Sequence, residues 1–276
     1  MDLLLEANNI TKRYGDKLIY NNANMVINRG DSIALMGHNG CGKSTFLKII
    51  CGLTTIDSGE IKSISKIKYN YIPEHFPQMN ITARKYITLI GEIDGLRKTE
   101  CVHRSEELFK QFFIHDMVDV PLKHLSKGTL QKVGVIQALM VKSDILLLDE
   151  PLSGQDMDSQ KVFISLIKEL NEQGTTVVMS CHEKFLVNRL SNSVYEIDCG
   201  KFKKIEMEHF SNKSDMLIFE REDNVIISED IISMVERIEY DERDIKILVT
   251  SDKSNNIIKK LLSMGFRLRR MTDEAD

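Results

Sequence analysis

The spacing of apolar and polar positions changes several times along the chain, and each change marks an element. Leu3–Tyr14 and Leu18–Ile27 mix apolar and polar residues as strands do, about a turn at Tyr14-Gly15-Asp16. A short apolar run, Ser32–Met36, meets Gly37 at once, and the pattern then turns helical over Lys43–Ile50. Residues 58–72 predict further strands ending at Tyr71-Ile72-Pro73. From 82 to 118 the spacing is mostly helical, and another helix is expected from about Thr129 to Val141. Strands then alternate with helices: strand Asp144–Leu148, helix Ser159–Leu170 stopped by Gly174, strand Thr175–Ser180, helix Glu183–Leu190, strand Ser193–Ile197.

Such alternation predicts an α/β fold with a mostly parallel sheet, preceded by N-terminal antiparallel strands. The helical block at about 80–141 interrupts the alternation and reads as an inserted helical subdomain. After Gly200 the character shifts, and the polar, charged run Lys201–Ser214 predicts a linker. A small α+β domain is expected beyond it, with strands Met216–Phe219, Ile245–Val249 and Phe266–Arg269 and helices Glu229–Val235 and Asn256–Leu262. The expected division is therefore 1–205 and 206–276.

Composition narrows the picture only a little. The chain has 276 residues, 42% apolar and 28% charged, with a net charge of −4. No basic excess argues for nucleic acid as the main partner. No apolar run approaches the length of a membrane-spanning helix, and the N-terminus lacks the basic region of a secretory signal. Five scattered cysteines form neither a disulfide framework nor a Cys-x-x-Cys metal pair, and read as reduced thiols in the cytosol.

Chemistry enters at Gly37-His38-Asn39-Gly40-Cys41-Gly42-Lys43-Ser44, which matches G-x-x-x-x-G-K-[ST]. Phosphates need successive backbone N–H groups turned into one concavity, which side chains would obstruct, hence glycines at 37, 40 and 42. The following helix adds its positive N-terminal end, with Thr45 in its first turn. Lys43 supplies a charge to the β- and γ-phosphates, and the Ser44 hydroxyl can ligate Mg²⁺. A second element, Ile145-Leu146-Leu147-Leu148-Asp149-Glu150, carries a buried strand into two carboxylates. Asp149 is read as the Mg²⁺ carboxylate and Glu150 as the general base or orienter of the attacking water.

With these motifs in this order the chain resembles the ATP-binding subunits of ABC transporters over about residues 3–205, which implies a P-loop NTPase core. Leu125-Ser126-Lys127-Gly128-Thr129 is similar to the family signature Leu-Ser-Gly-Gly-Gln, with Lys127 and Thr129 as departures. The resemblance implies that Ser126 and Gly128 approach ATP held by a second subunit. Ser153-Gly154-Gln155-Asp156 is similar to the family's D-loop, with Asp156 at the subunit contact. His182 matches the switch histidine that meets the γ-phosphate. Tyr14 stands where the family stacks an aromatic ring on adenine. Glu74, in Tyr71-Ile72-Pro73-Glu74, replaces a glutamine that reaches the metal, and keeps an oxygen ligand.

The implied protein hydrolyses ATP with Mg²⁺. It works as a sandwich homodimer or pseudo-symmetric dimer, beside a polytopic permease at the inner face of the cell membrane. Ser-Lys-Gly signatures are familiar among export-type members; with the short insert and Glu74 they make drug or antibiotic-peptide efflux the expected direction. The alternative is a soluble ABC-type ATPase acting on another macromolecule. Ribosome-acting relatives carry two cassettes, however, and DNA-acting ones a long coiled-coil insertion, and neither is present here. A P-loop kinase or GTPase is disfavoured by the signature, by His182 and by the lack of an Asn-Lys-x-Asp motif.

Overall fold

The computed structural model describes residues 2–64, 66–152, 154–206, 214–220, 227–232, 234–241 and 243–273. The chain forms two compact units, Met1–Met207 and Glu208–Asp276.

In the first unit, β1 (Leu3–Tyr14) pairs antiparallel with β2 (Lys17–Asn28) on one side and with β4 (Ser58–Ser63) on the other. From Ala23 onward β2 alternates buried Ala23, Met25 and Ile27 with exposed residues, as expected of a strand with one face in the core. A six-stranded sheet follows the order β5-β6-β7-β3-β8-β9. Its members are β3 (Ser32–Met36), β5 (Tyr69–Ile72), β6 (Ile145–Asp149), β7 (Thr176–Ser180), β8 (Ser193–Asp198) and β9 (Lys201–Ile205). The first five run parallel. β6 and β7 are buried at every position, which explains their uninterrupted aliphatic runs.

Helix α1 (Lys43–Ile50) buries Phe46, Leu47, Ile49 and Ile50 in a core shared by both sheets, where Phe46 meets the rings of Tyr20 and Phe202. The helical insert holds α2 (Ala83–Ile93), α3 (Lys98–Gln111) and α4 (Lys127–Leu139). The predicted helical stretch 82–118 is thus broken at Asp94–Arg97 and closes in a short 3₁₀ turn at His115–Met117. Helix α5 (Met157–Glu172) and helix α6 (Lys184–Leu190) complete the unit.

One expectation needs correcting. Lys201–Ile205 is not linker but β9, which pairs antiparallel with β8 from Asp198↔Lys201 to Val194↔Ile205. Its lysines misled the reading because β9 is an edge strand: Phe202 turns to the core while Lys201, Lys203 and Lys204 meet solvent. Residues 207–213 of the expected linker lie outside the described residues.

The second unit has one four-stranded antiparallel sheet in the order β11-β12-β10-β13. The strands are β10 (Ser214–Glu220), β11 (Arg237–Tyr240), β12 (Asp244–Thr250) and β13 (Leu268–Asp273), with α7 (Glu229–Ile232) and α8 (Ser251–Ser263) between them. This is a β-α-β-β-α-β unit. Strand β11 was not expected; its Arg237-Ile238-Glu239-Tyr240 sequence is too short and polar to announce itself. Asp215, buried in this unit, accepts hydrogen bonds from Ser251 and Ser254 in the first turn of α8.

Candidate functional site

The phosphate loop joins β3 to α1, and its three glycines all take positive φ: 138° at Gly37, 77° at Gly40 and 121° at Gly42. At Gly42 space matters too, since a Cβ would stand 2.7 Å from Ile19 Cγ2 and 3.0 Å from the Tyr20 hydroxyl. That hydroxyl donates to the Gly42 carbonyl at 2.8 Å and ties the loop to β2. Helix α1 starts directly after Gly42 with no side-chain cap, so the amides of its first turn are left for a ligand.

A cavity of about 630 Å³ opens over this helix end. Asn39, Gly40, Gly42, Lys43, Ser44 and Thr45 form its floor. Tyr14, Glu74, Glu150 and His182 border it, so those expected residues come together although they are spread over nearly 170 positions. Tyr14 ends β1 with half of its surface exposed, and the Lys12 ammonium lies 5.0 Å from its ring centre. His38 and Cys41 instead line a smaller cavity of about 310 Å³ beside the loop, and His38 bonds the neighbouring Asn39 carbonyl. Gly37 offers its carbonyl to Lys43 Nζ at 3.0 Å.

Parallel pairing sets the polar centre. Asp149 ends β6 and is 2% exposed. Its Oδ1 accepts from Ser44 Oγ at 2.8 Å and from Ser180 Oγ at 2.6 Å, and its Oδ2 accepts from the Tyr71 hydroxyl at 3.0 Å. Lys43 Nζ stands 3.1 Å from His182 Nε2, which stands 3.2 Å from Glu150 Oε1. The approach to Glu150 is close but poorly aligned, and Glu150 Oε1 is buried without a hydrogen-bond partner.

Glu150 also carries backbone strain, with φ at +46°, held by its N–H to the Ser180 carbonyl at 3.1 Å. Burial, the nearby Glu183 and to a smaller degree Asp149 and Glu74 push its carboxyl up to about 7, against the opposing charge of Lys43. Burial and Lys43 hold the His182 imidazole below its ordinary range. The cavity therefore sets three carboxylates, Glu74, Glu150 and Glu183, against two lysines, Lys43 and Lys17.

The donors fit a magnesium ion. Ser44 and Asp149 offer hard oxygens side by side, and among the described residues no group of three His, Cys, Asp or Glu makes a self-sufficient metal centre. Mg²⁺ is held in that way, by one or two protein oxygens completed by substrate phosphates and water. Glu74 borders the cavity but makes no bond to Ser44 or Asp149; it is exposed, with His75 at 3.7 Å.

Ser126 and Gly128 do not line this cavity. Ser126 caps α4, accepting from the Thr129 N–H at 3.2 Å. Gly128 packs on Gly154, whose carbonyl would stand 2.2 Å from an added Cβ, so the signature helix and the D-loop touch through bare backbone. Asp156 caps α5 through the Ser159 N–H at 2.9 Å and takes an ion pair from the buried Lys132 at 2.6 Å. Burial works against its ionisation, but the bonds from Lys132 and Ser159 win and hold its carboxyl at about 2. Ser153 lies outside the described residues.

Four polar residues of the site were missed in the sequence: Lys17 and Glu183 on the cavity wall, and Tyr71 and Ser180 on Asp149. Glu183 could have been found beside His182. The other three become visible only when the strands are placed next to one another.

Comparison with known proteins gives the family and the fold. The profile of the ABC transporter family matches residues 20–153. An uncharacterized ABC transporter ATP-binding protein of Methanocaldococcus jannaschii is 31% identical over 209 residues, covering 73% of this chain and 78% of that protein. A zinc import ATP-binding protein, ZnuC of Rickettsia bellii, is 31% identical over 192 residues, covering 69% of this chain and 81% of that protein. The linearmycin resistance ATP-binding protein LnrL of Bacillus subtilis is 30% identical over 224 residues, covering 77% and 70%. Among solved structures, an ATP-binding subunit of an ABC transporter superposes with a TM-score of 0.69 at 25% identity, over 75% of this chain and 91% of that one. A dimeric cassette bound to ADP and Pi shares the fold, with a TM-score of 0.68 at 23% identity, over 74% of this chain and 99% of that one.

Proposed function

The chain belongs to the ABC transporter ATP-binding family, and from that premise we propose how its residues divide the work of ATP hydrolysis. The carrying observation is the convergence of Lys43, the Ser44–Asp149 pair, Glu150 and His182 around one cavity over an uncapped helix.

In this reading the phosphates lie on the loop amides and the start of α1, with Lys43 leaving the Gly37 carbonyl to meet them. Ser44 and Asp149 would hold Mg²⁺, which would supply neutralisation of charge on the phosphate oxygens. Tyr14 stacks the adenine. Glu150 orients and deprotonates the attacking water; its unpartnered Oε1 and its raised proton affinity suit a base working near neutrality. His182, kept mostly neutral, contacts the γ-phosphate and senses its loss. Glu74, at the cavity rim, would help to hold the metal through a water molecule.

Each site is completed by a second copy, whose Ser126 hydroxyl and Gly128 backbone close on the γ-phosphate and whose Asp156 region meets the phosphate loop. Among the described residues no helix is long and apolar enough to cross a membrane. In this reading the chain works beside a permease subunit at the inner membrane face, which the helical insert and the segment Glu74–Met79 contact.

Outward transport is our reading of direction. It rests on Lys127 in the signature and on Glu74, and one relative is named for linearmycin resistance. Zinc import proteins are as similar, so transport by the chain together with its permease in sealed vesicles decides between the two directions.

The Glu150→Gln variant tests the chemistry. Turnover should fall by about 100-fold or more while ATP is still bound and a stable ATP-bound dimer accumulates. Normal turnover in that variant would remove Glu150 from this role.

A further inference from the structure

The carboxylate of Asp149 is over-supplied with donors for a group waiting on a metal. Three hydroxyls reach it from three elements: Ser44 from α1, Ser180 from β7 and Tyr71 from β5. Ser44 and Ser180 share Oδ1, whereas Oδ2 is held by Tyr71. The terminal torsion of aspartate is broad and nearly two-fold, so a bond on one oxygen does not fix the plane of the carboxylate. The Tyr71 hydroxyl supplies the second point. It is half-buried and donates to Oδ2 at 3.0 Å.

The strand that carries Tyr71 is itself anchored. β5 pairs in parallel register with β6, Tyr71↔Leu147 and Ile72↔Leu148. Two residues on, the Pro73 carbonyl accepts at 3.0 Å from Gln131 Nε2, a side chain of α4 that is 2% exposed. The next residue, Glu74, borders the cavity. Tyr71 thus joins the buried carboxylate beside Ser44 to a segment pinned on α4.

We propose that Tyr71 is a positioning residue for Mg²⁺: its hydroxyl locks the Asp149 carboxylate in the plane in which Oδ1 holds Ser44 for the metal. The inference rests on reading Asp149 as the magnesium carboxylate. A bystander tyrosine that merely satisfies its hydroxyl at the nearest acceptor would affect stability alone. A positioning tyrosine governs metal affinity, because hydrogen bonds that orient a metal's ligands typically carry about 10- to 100-fold in binding.

The full chain and the variants Tyr71→Phe, Tyr69→Phe and Asp149→Asn test this. Mn²⁺ binding is titrated by electron paramagnetic resonance with a non-hydrolysable ATP analogue, and the Mg²⁺ concentration for half-maximal hydrolysis is measured at saturating ATP. Thermal melts confirm folding, and every titration is run below the melt. Tyr71→Phe should weaken Mn²⁺ by about ten-fold and raise the Mg²⁺ requirement in parallel. The ATP KM at saturating Mg²⁺ should stay unchanged. Tyr69→Phe, which deletes a hydroxyl from the same strand, should leave both metal readouts at the wild-type value. Wild-type Mn²⁺ affinity in Tyr71→Phe beside weakened binding in Asp149→Asn overturns the positioning role and leaves the Asp149 assignment standing. Wild-type affinity in Asp149→Asn overturns that assignment, and this inference with it. A lower melt in Tyr71→Phe with unchanged Mn²⁺ affinity makes the hydroxyl purely structural and also overturns it.

Discussion

Two helix N-termini of this chain are built in opposite ways. Helix α1 begins after Gly42 with no side-chain cap, beneath a cavity where Glu74, Glu150 and Glu183 share the wall with Lys43 and Lys17. Glu150 sits there with a left-handed backbone and an unpartnered oxygen. Helix α4 begins after Ser126, whose hydroxyl satisfies the Thr129 N–H, and its first turn rests on the D-loop without strain. Both ends suit an anion. The first is frustrated until phosphate and metal arrive; the second is already content and exposed. In the proposed division of the site between them, the stored cost lies at α1, and α4 is left free to dock and release.

The division can be broken most sharply by mixing. Lys43→Ala should bind and hydrolyse ATP negligibly. Ser126→Arg should fold, since the position is exposed and a lost cap costs only about 1 kcal/mol, but should block closure over ATP. Combining the two inactive chains creates mixed dimers in which one site keeps Lys43 from one copy and Ser126 from the other. Activity should return to at most about a quarter of wild type, by the statistics of a two-fold dimer. A mixture as inactive as its parts would mean that each chain's site is closed by its own signature helix, and the contrast between the two helix ends would lose its meaning.

The frustration itself is measurable without nucleotide. Glu150 has its folded-state pKa raised from 4.5 to about 7, so the folded chain binds that proton more tightly than the unfolded chain. Below pH 4.5 the group costs nothing; the penalty grows as pH rises and is complete above about 7. His182 works in the other direction: its lowered pKa contributes stability above the unfolded value that is lost as pH falls. Glu150→Gln should therefore be more stable than wild type by roughly 2 kcal/mol at pH 8, with the gap shrinking towards pH 5. Equal melting temperatures across that range would show that the cavity is not electrostatically strained. Ser126→Ala, at the relaxed helix end, should show no such pH dependence.

Much of this contrast was legible in the residues. Gly37, Gly40 and Gly42, the aliphatic run into Asp149-Glu150, and Ser126 before Gly128 each belong to local patterns whose physics is local: a turn, a buried strand, a cap. What stayed hidden depends on neighbours far away in the chain. Tyr71 and Ser180 matter because β5 and β7 flank β6, an order that no spacing states. Lys17 reaches the cavity wall only through the β1–β2 turn. β9 reads as linker because lysines dominate its sequence, while the one aromatic between them, Phe202, packs on Phe46 and Tyr20. Asp156 looked like a surface contact alone, and its bond to the buried Lys132 required α4 and α5 to meet.

The smallest expected effect belongs to Tyr14, which touches neither anion nor metal. Half of its surface is exposed and Lys12 already lies against the ring, so it offers one face to a base. Stacking on an aromatic is worth about 1–3 kcal/mol, and an exposed ring sits at the low end. Tyr14→Ala should raise the KM for ATP by about five-fold and leave kcat unchanged, whereas Tyr14→Phe should match wild type. The same substitution should leave the recovered activity of mixed dimers unchanged when it is placed in the Lys43→Ala chain, and should raise their KM when it is placed in the Ser126→Arg chain. Only the latter chain keeps a working α1 end, and the base lies with the phosphates it belongs to. A KM that rose in both placements would put Tyr14 in contact with the neighbouring copy's nucleotide, and the line between the two halves would then run through β1 instead of along α4.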